Sequence, residues 1–138
     1  MQGSILRVKL RYLEAWTEAR RKRATLYDRA LAEAGVERPV AMDCARHVYH
    51  VYCIATDRRT ELQAALTARQ IGSTIYYPNP IHRMAPYADA DFPEGSMPIA
   101  ERAAGRVLAL PIYPELPEAA IDEVAAAVRA ASLVATAR

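Results

Sequence analysis

At 138 residues, 52% of them hydrophobic, the chain is long enough for one domain with a real core and too short for two ordinary ones. Every apolar run is broken by charge or proline before the ~18 residues a membrane span needs, and the N-terminus enters a charged amphipathic pattern rather than the apolar segment of a signal peptide. The net charge of +2 is uneven, since residues 1–38 hold nine Lys or Arg against five Asp or Glu and the remainder nine against eleven. Cys44 and Cys53 are too far apart for a redox pair and read as buried free thiols, so the expected setting is a reducing, cytoplasmic one.

From Ser4 to about Ala34 the pattern is helical, with Leu6, Leu10, Leu13 and Trp16 at three- and four-residue spacing and Ala24, Tyr27 and Leu31 resuming the stripe. Gly35 supplies the stop. At ~1.5 Å per residue such a helix is about 45 Å long, which exceeds the width of a small domain, so it must overhang, pack on a partner or bend. The run Arg20-Arg-Lys-Arg23 reads as solvated helix surface, because four consecutive helical positions point around most of the circumference and form no single stripe.

His47–Ala55 is rich in aromatic and β-branched residues and reads as a central strand, with His50, Tyr52 and Ile54 on one face and Tyr49, Val51 and Cys53 on the other. That places His47 and His50 on opposite faces, which rules out a shared metal within this element. His50 on a buried face reads first as a hydrogen-bonded core residue. Thr60-Glu-Leu-Gln63 has the form of a capping box for a short helix that carries Leu62, Ala65 and Leu66 inward and ends near Gln70.

The stretch from Ile71 to Tyr87 begins as a strand, Ile71–Tyr77, and breaks at Pro78 and Pro80, leaving Tyr76, Tyr77, His82 and Arg83 on a stiff loop. An acidic irregular segment, Ala88–Gly95, follows, and then Ser96 as an expected N-cap with Pro98 in the first turn of a helix that runs to about Arg106. Val107–Leu110 reads as a third short strand stopped by Pro111-Ile-Tyr-Pro114. A last helix begins at Pro117 and buries Ile121, Val124 and Val128. The expectation is one domain over residues 1–138 of α/β class, α+β in type. A long helix (1–35) precedes a sheet of three to four strands with helices packed on it (36–138).

No Gly-rich phosphate loop, nucleophile elbow, HExxH or zinc-spaced Cys/His set is present, so no catalytic or metal-ligating residue is assigned. The one cluster with useful chemistry is Tyr76, Tyr77, His82 and Arg83, whose phenols, imidazole and guanidinium suit a polyhydroxylated or phosphorylated ligand. Taken alone it also fits a proline-rich edge connection with a surface histidine.

Several blocks of the sequence resemble one known family in that family's order. They are Ile5–Tyr27; His47-Val-Tyr-His-Val-Tyr52; Gly72 through Tyr77-Pro78, Pro80-Ile-His82 and Pro86-Tyr87; Pro98-Ile-Ala-Glu101; and Leu110-Pro-Ile-Tyr-Pro-Glu-Leu116. They are similar to the C-terminal portion of the DegT/DnrJ/EryC1/StrS sugar aminotransferases, pyridoxal-phosphate (PLP) enzymes of fold type I. The resemblance implies amino transfer to a keto sugar carried on a nucleoside diphosphate, a cleft between large and small domains at a homodimer interface, and Tyr76, Tyr77 and His82 as substrate contacts with His50 in second rank. Tyr76 stands where the family often has His, and Met84 where it often has Gln. The chain's only lysines, Lys9 and Lys22, lie on the first helix and outside the family's Ser-x-x-Lys setting. PLP is therefore expected in the full-length enzyme and not on this chain alone, which should be inactive by itself.

Two readings of function follow. The chain is the C-terminal domain of a nucleotide-sugar aminotransferase, partnered by a large domain, or it is a stand-alone binding or assembly module that dimerises through its first helix. Nucleic-acid binding through Arg20–Arg23 ranks last, because no aromatic residues interleave with the charges.

Overall fold

The structure is a computed structural model that describes residues 2–87 and 92–133. The expected N-terminal helix is interrupted. Helix α1 (Gln2–Leu10) and helix α2 (Leu13–Ala30) are separated at Arg11 and Tyr12, where the backbone tightens into Arg11 N–H to Val8 O (3.3 Å) and Tyr12 N–H to Lys9 O (3.0 Å). Helix α1 buries no residue, and Leu6, Leu10 and Leu13 are exposed, whereas Ala24, Tyr27 and Leu31 are fully buried. The apolar stripe is thus continuous in sequence but packs only in its second half. Gly35, at φ 67°, completes the exit from the turns that follow α2.

Strand β1 (Tyr52–Ala55) pairs antiparallel with β2 (Val107–Leu110), Tyr52 opposite Leu110 and Ala55 opposite Val107. Single-residue bridges extend this ladder on both edges, Glu37 to Ala55 and Thr74 to Ala109. Two strands with a bridge on each side therefore stand where three to four strands are expected. The predicted strand at 71–77 reduces to Thr74, with Ile71 and Ile75 packed against the core beside it. The predicted strand at 47–55 loses its first half because Tyr49 takes φ 46°, which breaks the alternation of sides. As a result His50 is exposed rather than on a buried face, while Tyr49 is buried.

Helix α3 (Arg59–Ala68) puts Leu62 and Leu66 into the core, and α5 (Glu118–Leu133) packs against both α2 and α3 with Ile121, Val124 and Val128 buried. The capping box does not form: Thr60 is already helical, and the Thr56 hydroxyl instead accepts the Arg58 N–H at 3.3 Å. Gln70 ends the helix at φ 59°. The final helix of the middle section, α4 (Pro98–Arg106), has Met97 rather than Ser96 at its N-cap. Residues 88–91 of the acidic segment lie outside the described residues.

With so small a sheet, arginines do much of the joining. Arg21 donates to His47 O (2.9 Å), Arg23 to Leu116 O (2.8 Å), Arg58 to Ala131 O (3.0 Å), Arg129 to Ala30 O (2.6 Å) and Arg59 to Ala104 O. Within the basic run, Arg21 and Arg23 are half-buried tethers rather than solvated surface, and only Lys22 is exposed. Both cysteines are free thiols; Cys44 is exposed, against expectation, because it lies in the irregular connector before β1, and Cys53 is half-buried. Among the described residues no helix is long and apolar enough to cross a membrane.

Candidate functional site

The Thr74–Ala109 bridge, with Ala109 N–H to Thr74 O at 2.7 Å, anchors the loop that follows. Beyond it Tyr76 and Tyr77 project outward and meet edge to face, ring centroids 5.7 Å apart. Pro78 and Pro80 hold the next turn extended, and two short 3₁₀ turns, Ile81–Arg83 and Ala85–Tyr87, fold it back. This loop forms one wall of an open cleft of about 1010 Å³. The opposite wall is one face of α4, where Met97, Ala100 and Ala104 recur at helical spacing, with Val107 behind them.

Of the five predicted site residues, the structure brings Tyr76, Tyr77 and His82 together on this cleft. Tyr77 is 74% exposed and Tyr76 is 45% exposed, so both rings offer an uncovered face. Arg83 does not line the cleft and faces Glu94 at 3.5 Å. His50 does not line it either, since the turn at Tyr49 leaves it on the surface at the start of β1.

His82 is the least accessible of the three, its side chain 9% exposed, and its Nε2 lies 2.9 Å from Glu101 Oε1. The same carboxylate accepts the N–H groups of Gly95 (2.9 Å) and Met97 (3.2 Å). The Gly95 N–H holds the Glu101 carboxyl below the usual carboxylate range, against the opposing effect of burial, with Met97 and His82 adding to the lowering. Sequence reasoning placed Glu101 only within a matching block and missed Phe92 and Met97 as cleft residues. The Met97, Ala100, Ala104 periodicity is the signal that could have found the second wall.

A smaller cavity of about 490 Å³ lies near Gly35, Asp57 and Arg106. Its charged side chains are already engaged: Arg106 donates to Asp57 at 2.6 Å and to Glu37 at 2.8 Å, and Arg58 donates to Ala131 O at 3.0 Å. Among the described residues no group of His, Cys, Asp and Glu could hold a metal ion.

The chain matches the DegT/DnrJ/EryC1/StrS aminotransferase family over residues 1–129. It belongs to that family. It is 45% identical over 121 residues to a pleiotropic regulatory protein of Geobacillus stearothermophilus, covering 86% of this chain and 32% of the relative. It is 40% identical over 134 residues to the dTDP-3-amino-3,4,6-trideoxy-alpha-D-glucose transaminase of Micromonospora megalomicea, covering 94% of this chain and 36% of that enzyme. Among solved structures it superposes on S. venezuelae DesV in complex with a ketimine intermediate with a TM-score of 0.92 at 38% identity, covering 96% of this chain and 36% of that one. An aminotransferase of the same family from Brucella abortus gives 0.86 at 34% identity, over 94% and 34% of the two chains. The chain thus spans about a third of the length of the relatives it matches. Lys9 and Lys22, the chain's two lysines, are both exposed, on α1 and α2, and neither lines the cleft, so neither is placed there to form the Schiff base that PLP chemistry needs.

Proposed function

We propose that these residues are the C-terminal part of a PLP-dependent nucleotide-sugar aminotransferase and form the sugar-nucleotide wall of its cleft, inactive in transamination by themselves. In this reading residues 1–35 are the interdomain helix and 36–138 the small domain. A large domain supplies the Schiff-base lysine, the carboxylate on the pyridinium nitrogen and the donors for the cofactor phosphate. The observation that carries the reading is that Tyr76, Tyr77 and His82, singled out from the sequence, line one large cleft in a chain belonging to this family. Transaminases among the relatives, named for dTDP- and UDP-linked sugars, support the ligand class. Two uncovered tyrosine faces suit a pyrimidine base or a pyranose ring, and the phenols suit its hydroxyls.

The test is two-part. Millimolar dTDP-glucose or UDP-N-acetylglucosamine should shift NMR resonances of Tyr76, Tyr77 and Tyr87, and Tyr77→Ala should weaken that binding. PLP with borohydride should label no lysine stoichiometrically. Stoichiometric labelling of Lys9 or Lys22 overturns the proposal of an inactive domain.

A second reading, of an assembly module, is favoured by one observation: α1 buries nothing while exposing Ile5, Leu6, Val8 and Leu10. It predicts a homodimer by light scattering that Leu6→Ser/Leu10→Ser disperses, and a monomer at high concentration counts against it.

A further inference from the structure

We propose that Glu101 is a positioning residue of the cleft: its single carboxylate locks His82 to the turn that opens α4, so that the ring presents Nδ1 as an acceptor for a ligand hydroxyl. This rests on the nucleotide-sugar reading for the identity of the ligand, and on the geometry alone for the lock.

Glu101 lies four residues beyond Met97 and reaches back over the first turn of its own helix. An ordinary cap satisfies one or two nearby backbone donors. Here the carboxylate takes the N–H groups of Gly95 and Met97 and also a ring nitrogen from nineteen residues earlier in the chain. Gly95 is at φ 88°, a backbone conformation that other residues adopt only with strain. One side chain therefore joins both walls of the cleft, the loop through His82 and the helix through Met97, although Glu101 itself does not line it.

The pairing also fixes the chemistry of the imidazole. A ring nitrogen 2.9 Å from a carboxylate oxygen must be the N–H donor, so Nε2 carries the hydrogen. In the neutral ring Nδ1 is then a lone-pair acceptor, and among the described residues it has no hydrogen-bond partner. His82 lines the cleft, so in its neutral form the ligand group it selects is a donor, such as a sugar hydroxyl. Rotation of the ring, or the opposite tautomer, would offer an N–H there and reverse the preference.

The experiment uses the whole chain labelled with ¹⁵N, in three forms: wild type, Glu101→Ala and the near-isosteric Glu101→Gln, which guards against loss of fold. Two-bond ¹H–¹⁵N spectra should show neutral wild-type His82 as the Nε2–H tautomer, and a mixture in Glu101→Ala. Amide exchange at Gly95 and Met97 should quicken at least tenfold in Glu101→Ala and measurably in Glu101→Gln. Affinity for dTDP-glucose should fall about tenfold in Glu101→Ala, with no further loss when that change is added to His82→Ala. An Nδ1–H tautomer in the wild type, or unchanged tautomer and exchange in both variants, overturns the lock. Binding equal to wild type in both variants overturns the positioning role. If the tautomer and exchange change as expected while the wild type binds neither dTDP-glucose nor UDP-N-acetylglucosamine, the lock stands and the nucleotide-sugar reading falls.

Discussion

Replacing Tyr27 with Phe removes one oxygen from the centre of the core and leaves the ring in place. Tyr27 is fully buried, stacks on Tyr52 with centroids 4.8 Å apart, and donates its hydroxyl to Pro111 O at 2.9 Å, linking α2 to the exit of β2. Because the ring survives, apolar burial and stacking are unchanged and only the polar balance moves. A typical hydrogen bond contributes about 1 kcal/mol net, and a stranded buried carbonyl adds about 1 kcal/mol more; Pro111 is half-buried, so water relieves part of that. The expected loss is about 1.5 kcal/mol, equivalent to about 5 °C in Tm for a chain of this size. Urea unfolding followed by circular dichroism measures it, with Tyr113→Phe, at an exposed position, as the control. A second signature is the pH response. Burial pushes the Tyr27 phenol up, so the unfolded chain ionises first as pH rises. That contribution is complete below the ordinary phenol value of about 10 and is lost above it, and Tyr27→Phe should shed less stability in alkali than the wild type. An unchanged urea midpoint with an unchanged m-value would falsify the assignment of this hydroxyl as a structural link.

Gln70 sits at φ 59°, where a side chain costs about 1 kcal/mol, so Gln70→Gly should be neutral to about 1 kcal/mol more stable and Gln70→Val clearly less stable in thermal melts. The order reversed would refute the conformational assignment. Glu101, lowered by its backbone donors, contributes stability that is present above the ordinary carboxylate value and lost as pH falls through its folded value. An acid titration of Glu101→Gln should accordingly be shallower than that of the wild type, and coincident curves would contradict the assignment.

The elements most legible in the sequence were those whose pattern and packing agree. Val107–Leu110 between a helix and a proline stop, and the Ile121, Val124, Val128 face of α5, both form where periodicity puts them. The misses occur where local geometry overrides pattern. Tyr49 at positive φ breaks the alternation and leaves His50 exposed, which no alternation rule anticipates. The 71–77 stretch has strand-like residues and half-buries Ile71 and Ile75, but it lies at the margin of a two-stranded sheet and is paired only at Thr74, whereas β-propensity expresses a fit to a surface that is paired along its length. Within the cleft the loop residues were legible because prolines punctuate them. Glu101 was not, because its role is set by a contact with His82 across nineteen positions rather than by any local spacing.

The arginine tethers bear on how this chain meets changes in its solvent. Arg21, Arg23, Arg58, Arg59 and Arg129 each pair a charge with a main-chain dipole in a part-buried setting. Ionic strength that screens exposed pairs, such as Arg46 with Glu14 and Glu18, reaches these bonds far less. Lysine would preserve the charge at these sites and still loosen the structure, because a compact ammonium lacks the planar fork that reaches a fixed carbonyl. Five of the 18 basic residues are therefore part-buried scaffolding, and the tally of basic residues overstates what a polyanion would meet at the surface.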